Sequence, residues 1–191
     1  MSFVRNICVS AAALAAALLT AAGPVAAAPV ATVAPPDDAY LAAAHQANLA
    51  EITISNLAAT HQGASPVVVR LGAQFKDDHQ KLDDALMSVA QQQGVALPAT
   101  PDTEQQALIQ QMQHLTRAEF DQAFVPTQLQ AHEAAMAATQ AEIAKGQDPA
   151  VVQLAKDALP VITEHHEELL AAVKQLNIQL PPAKPAGTAP R

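Results

Sequence analysis

Between residues 37 and 177 the apolar positions return every three to four residues, the period of helices that bury one face. The pattern predicts four long helices. Helix A spans Asp37 to Thr60, with Asp37 or Asp38 as its cap, because a carboxylate there meets free N–H groups and the positive end of the helix dipole. Gly63 ends it. Helix B opens at Ser65-Pro66, a cap followed by proline at the first helical position, and runs to Gln93 ahead of Gly94. Its apolar stripe is Val68, Leu71, Phe75, Leu82, Leu86 and Val89.

A short helical piece, 103–115, follows Pro98 and Pro101. Helix C runs from about Arg117 to Lys145 with Val125, Leu129, His132, Met136 and Ile143 inward, and Pro126 is expected to kink it. Gly146 stops it. Asp148-Pro149 then caps and opens helix D, which reaches about Leu176 with Val151, Ala155, Leu159, Ile162, Leu169, Val173 and Leu176 inward and a second kink at Pro160. The A–B and C–D connections are only a few residues long, so each pair forms an antiparallel hairpin. The B–C connection, Gly94 to Thr116, is long enough to cross helices of ~40 Å at ~1.5 Å per residue. The expected fold is therefore all-α: a ferritin-like antiparallel four-helix bundle, two hairpins joined by a crossover carrying a short helix. An up-down-up-down bundle with a decorated loop is the alternative.

The ends read differently. Residues 1–27 have the three parts of a secretory signal: Arg5, a small-apolar run from Ile7 to Ala22, and Gly23-Pro24 before Val25 and Ala27, small enough for positions −3 and −1 of a cut after Ala27. An uncleaved anchor is the competing reading, but the run is short for a span of ~20 apolar residues. Residues 28–36 are a Pro/Ala-rich linker, 37–177 the bundle, and 178–191 a proline-rich disordered tail. Cys8, the only cysteine, leaves with the signal. Any metal site in the mature chain must then use histidine and carboxylate. A cysteine-free, exported, helical product fits the periplasm or outer envelope of a Gram-negative bacterium, with no integral membrane span after cleavage.

Charge narrows the partners. Ten Lys+Arg stand against 18 Asp+Glu, which argues against nucleic acid and anionic lipid. Trp is absent and other aromatics are scarce, so a base- or sugar-stacking surface is not expected. A metal ion, a small ligand and a homo-oligomeric assembly remain as candidate partners.

Four local patterns occur in order: Tyr40-Leu41 with Asn48-Leu49-Ala50-Glu51-Ile52; Asp78-His79 followed by Gly94-Val95-Ala96-Leu97-Pro98; Phe120-Asp121-Gln122-Ala123-Phe124 with His132; and Leu159-Pro160 with His165. In this order and spacing the chain resembles the exported bacterial family called domain of unknown function 4142, over about residues 38–176. The resemblance implies a ferritin-like bundle in the envelope. It implies no reaction.

The candidate chemistry lies at mid-height. Glu51 is 12 residues before the A–B turn at 63 and His79 is 16 after it, a height offset of ~6 Å. His132 and His165 are 15 and 18 residues from the C–D turn near 147, an offset of ~4.5 Å. His132 lies on its stripe, His79 at the edge of one, and Glu51 on the face of Ala44, Ala47, Ile54 and Ala58. For helix D the family pattern favours His165, whereas the helical wheel favours His166. A metal set of Glu51, His79, His132 and His165, with His166 and Asp78 as second choices, would suit Zn²⁺, Cu²⁺ or Fe²⁺, Asp78 orienting an imidazole from behind. Lys76, Leu129 and Ile162 precede the three histidines by three residues, so the Glu-x-x-His pairs of di-iron bundles are lacking.

The competing account is a hydrogen-bonded polar network that fixes helix register. His45, His61 and His114 show no convergent partner and are expected in solvent, as is the Glu164, Glu167, Glu168 group. Three functions stay open: a binding or stress-related module, a metal-dependent redox enzyme, and a structural or interaction protein. No hydrolase motif or phosphate-binding loop is present, so the balance is against an enzyme.

Overall fold

The computed structural model describes residues 35–180. The expected signal, Cys8, most of the 28–36 linker and the tail from 181 onward lie outside the described residues. Five α-helices follow in order: α1 Pro35–Thr60, α2 Pro66–Gln93, α3 Thr103–Gln113, α4 Arg117–Lys145 and α5 Pro149–Gln175. The described residues contain no strand, as an all-α reading requires.

Local chemistry sets most of these boundaries. Ser65 accepts from the Val68 N–H at the start of α2, and Gly94 ends that helix in the left-handed conformation (φ 71°), open to glycine at little cost. Asp102 and Gln105 form a reciprocal capping box on α3, and Asp148 accepts from the N–H groups of Ala150 and Val151 at α5. Helices α4 and α5 continue through Pro126 and Pro160.

The start of α1 departs from expectation. It begins at Pro35, which puts buried Asp37, with Asp38, inside its first turn. The Asp37 carboxylate accepts from the backbone N–H groups of Gln147 (3.1 Å) and Asp148 (2.6 Å), in the turn between α4 and α5. A carboxylate can satisfy orphan donors of any helix end that packing brings to it.

That contact also fixes topology. It places the α4–α5 turn beside the start of α1, and Gln93 at the end of α2 reaches Asp148 at the same level. At the opposite end, the Ser65 N–H in the α1–α2 turn donates to Asp121 near the start of α4. Helix α4 therefore runs parallel to α2, which requires the 94–116 connection to traverse the full bundle. In an up-down-up-down bundle α4 would start where α2 ends. The two-hairpin, crossover arrangement holds.

The hydrophobic core is split in two. The larger part includes Ile54, Leu71, Phe75, Met112, Phe120, Phe124, Leu129 and Leu169, while the smaller is built on Leu41, Leu86, Ala90 and Val151. Helix α3 lays Ile109 and Met112 into the larger part. Buried polar side chains run between the two: His45, Asn48 and Glu51 on α1, His79 and Asp83 on α2, Gln128 and His132 on α4, His165 on α5. Several expected stripe residues, among them Leu82, Met136 and Ile143, are only half-buried, and Asp83 and Gln128 occupy seam positions instead.

Close approach of α1 and α2 depends on Gly72. A methyl group there would lie 2.6 Å from both the Ala59 nitrogen and the Ser55 carbonyl oxygen, backbone atoms that cannot step aside. Gly72→Ala is expected to cost ~1–3 kcal/mol of stability, as overpacking does elsewhere, measurable by urea denaturation. An unchanged midpoint would show that the two helices are not locked at this spacing.

Candidate metal centre

Helices α2, α4 and α5 each deliver one histidine to the polar belt. His79, His132 and His165 are all buried, and one ring nitrogen from each lies within 4.8 Å of the other two. His165 reaches the centre because Ile162, His165, Leu169 and Ala172 alternate at three and four residues, the spacing of a packed helix seam. The helical wheel set His166 between Ile162 and Leu169; Leu159, Val173 and Leu176, also expected inward, are only half-buried. His166 lies half-buried beside the seam, with Nε2 3.6 Å from Glu133. The helical-wheel preference for His166 is thus overruled by packing.

The outer nitrogen of each ring is held by an acceptor. His132 Nδ1 is 2.8 Å from the Gln128 carbonyl oxygen, one turn earlier in α4. A carbonyl only accepts, so Nδ1 carries the proton and Nε2 presents a lone pair. His165 Nε2 is 3.3 Å from the Asp78 carboxylate, which likewise leaves Nδ1 as the lone-pair nitrogen. His79 Nδ1 is 3.0 Å from Asn48 Oδ1, and its buried Nε2 meets no hydrogen-bond partner. Asn48 is oriented in turn by its amide N–H₂, which faces Asp83 Oδ1 at 3.4 Å.

All three rings are held neutral. Burial lowers His79 well below the ordinary histidine range, with His132 and His165 adding to the effect. Burial takes His132 down to about 4 against the opposing bond to Gln128. His165 is lowered by burial, opposed by Asp78. At neutral pH the centre therefore holds imidazole lone pairs and no protons between them. His132 Nε2 and His165 Nδ1 stand 3.4 Å apart, two acceptors in these tautomers. That spacing matches the ~3.3 Å between ligand nitrogens implied by tetrahedral bonds of ~2.0–2.1 Å to zinc. Phe75 closes one side, stacked on His165 with centroids 4.1 Å apart.

The structure places the other candidates apart from this trio. Glu51 is buried at the same belt, but its carboxylate accepts from Gln128 Nε2 at 2.7 Å and stands outside the three-nitrogen cluster. Asp78 lies behind His165. The expectation of solvent for His45 is corrected: it is buried, with Nδ1 2.7 Å from Asp83. His61 is half-buried and stacks on Phe120 at 4.1 Å, whereas His114 is exposed at the end of α3. The signal for His45 was its place four residues after Leu41 and three before Asn48. Alanines on both sides of the helix obscured it.

The profile of the family described as Domain of unknown function (DUF4142) matches residues 22–176. The chain belongs to this family. No curated protein matches the chain, and neither does any solved structure. No helix of this DUF4142 chain is long and apolar enough, among the described residues, to cross a membrane.

Glu51 offers a test independent of metal. Burial raises it to about 7, with the Gln128 bond opposing. The folded state then holds a proton that the unfolded state has released above the ordinary carboxylate range near 4.5. The sign follows: stability declines as pH rises from about 4.5 through 7. Glu51→Gln is expected to remove that decline, so the variant's advantage in the metal-free protein should grow over this window to about 2–3 kcal/mol. A gap between the two unfolding curves that does not vary with pH would contradict it.

Proposed function

We propose that this chain is an exported, envelope-located bundle of the periplasm or outer envelope that binds one divalent transition-metal ion through His79, His132 and His165, a binding module with no assigned reaction. The observation that carries the reading is that three buried histidines bring one ring nitrogen each within 4.8 Å of the others while one nitrogen of every ring meets an acceptor. Three neutral acceptors facing one another repel, and a cation at their centre converts that repulsion into bonding. Backing of ligand histidines by carboxylate, amide or carbonyl oxygens is how metal sites fix tautomer and ring direction. The all-nitrogen donor set suits Zn²⁺, Cu²⁺ or Fe²⁺ over Ca²⁺ or Mg²⁺, which prefer oxygen. A two-iron centre is disfavoured, because no Glu-x-x-His pair accompanies the histidines.

The decisive measurement is elemental analysis of tag-free protein purified from its native compartment. Close to one equivalent of one of these metals is expected, and His79→Ala or His165→Ala should reduce it below a tenth. Substoichiometric metal that neither substitution changes would leave the belt as a purely structural hydrogen-bond network and end the metal reading. Mass spectrometry of the mature N-terminus should show Ala28 first, and an intact residue 1 would reject cleavage of this signal.

A further inference from the structure

His45, Asp83 and Asn48 form a second buried polar group, outside the three ligands. His45 Nδ1 approaches Asp83 Oδ1 at 2.7 Å, and Asn48 Nδ2 approaches the same oxygen at 3.4 Å. Asn48 Oδ1 then meets His79 Nδ1 at 3.0 Å. All three side chains are more than nine-tenths buried, on facing turns of α1 and α2. We infer that Asp83 is a positioning residue for the metal centre: through Asn48 it sets the tautomer of His79, and with it the affinity for metal. The inference deepens the metal reading and rests on it for its affinity arm alone.

The logic is one of donors and acceptors. An asparagine amide has two ends of nearly equal shape, and either could face His79. Asp83 as a carboxylate only accepts, so it selects the amide N–H₂ and turns the Asn48 oxygen toward His79. His79 must then donate from Nδ1, which leaves Nε2 free for metal. With the amide reversed, Asn48 would set its oxygen against the Asp83 oxygen and its N–H₂ against His79 Nδ1. The His79 proton would move to Nε2 and block the coordinating nitrogen. His45 steadies the arrangement by donating to the selecting oxygen. Leu at position 83 would strand the buried donors of both His45 and Asn48, so the acidic group is matched to these two partners.

Two variants separate positioning from mere packing. Asp83→Asn lets residue 83 donate once His45, which shares the same oxygen, carries its proton on Nε2 and accepts at Nδ1, so Asn48 can reverse. The swap Asn48→Asp with Asp83→Asn keeps the charge and restores a one-way selection: the residue 83 amide donates to His45 Nδ1 and to residue 48, and residue 48 accepts from both it and His79. Long-range proton–nitrogen spectra of the metal-free protein read the His79 tautomer directly, and Zn²⁺ titration reads affinity. Wild type should carry its proton on Nδ1, Asp83→Asn should shift population to Nε2 and bind Zn²⁺ about 10- to 100-fold more weakly, and the swap should recover both. Wild-type His79 protonated at Nε2 overturns the inference outright. So does a folded Asp83→Asn protein with unchanged tautomer and affinity, or a folded swap that leaves the proton on Nε2. If Asp83→Asn alone fails to fold, the wild-type spectrum and the swap still decide. A wild type that binds no Zn²⁺ rejects the metal reading, while the tautomer shifts continue to test the relay by themselves.

Discussion

Saturating the wild-type protein with Zn²⁺ is expected to raise its unfolding free energy by about 3 kcal/mol at a free metal concentration of ~100 times the dissociation constant, and His132→Leu should lose that whole increment. His132 is the fullest test of the centre because it is buried on a seam position and its outer nitrogen bonds only to a carbonyl of its own helix. Replacing it with leucine leaves no partner side chain stranded. Without metal, the variant should be as stable as wild type or more so, since a buried polar ring facing other lone pairs gives way to an apolar one of similar volume. Loss of metal-dependent stabilisation with metal-free stability retained would mark the site as one kept for binding. Equal stabilisation of both proteins by Zn²⁺ would place the ion elsewhere. Urea denaturation with and without chelator measures both quantities.

Truncating Phe75 is expected to be the most damaging single change to the fold. Its side chain is fully buried, belongs to the larger apolar core, stacks on His165 and tilts against His132 at 5.4 Å. Phe75→Ala removes a large ring and leaves a cavity that fixed helices cannot fill, a loss of about 3–5 kcal/mol. Against a typical total of about 5–15 kcal/mol, that brings the bundle close to unfolding at 37 °C. Phe75→Leu should recover most of the stability. It should bind metal more weakly than wild type, because the flat wall that holds the His165 ring is lost. A Phe75→Ala protein within 1 kcal/mol of wild type would show that this layer can collapse around the gap.

How far the site was legible depended on what surrounded each residue in sequence. His132 sat among unambiguous apolar neighbours, Val125 and Leu129, and its inward direction could be read. His165 could not be placed by wheel alone, because Leu159 and Val173 are apolar yet only half-buried. Asp83 and His45 were missed for a related reason. An acidic residue next to Asp84 and a histidine among alanines look solvated, and only the pairing of α1 with α2 brings them together. Asp37 or Asp38 was expected to cap the first helix; both lie in its first turn, and the Asp37 carboxylate also meets the N–H groups of the α4–α5 turn, which capping chemistry in the sequence does not foretell.

By itself the sequence determined the helices: their period, the Ser65-Pro66 and Asp148-Pro149 starts, the Gly94 stop, and connection lengths that force two hairpins. It also determined that the described bundle carries no thiol, which limits a metal to histidine and carboxylate. These are local or covalent matters, decided by neighbours a few residues away. The tertiary structure decided which end of α2 meets α4, which of two adjacent histidines faces the centre, and which acceptor stands behind each ring. Apart from the Gln128 carbonyl behind His132, four residues away on its own helix, those choices depend on contacts between residues 30 to 110 positions apart, such as Asn48 with His79 and Asp37 with Gln147. Only the packed bundle supplies them, because the proton on an imidazole follows the acceptor it meets in space.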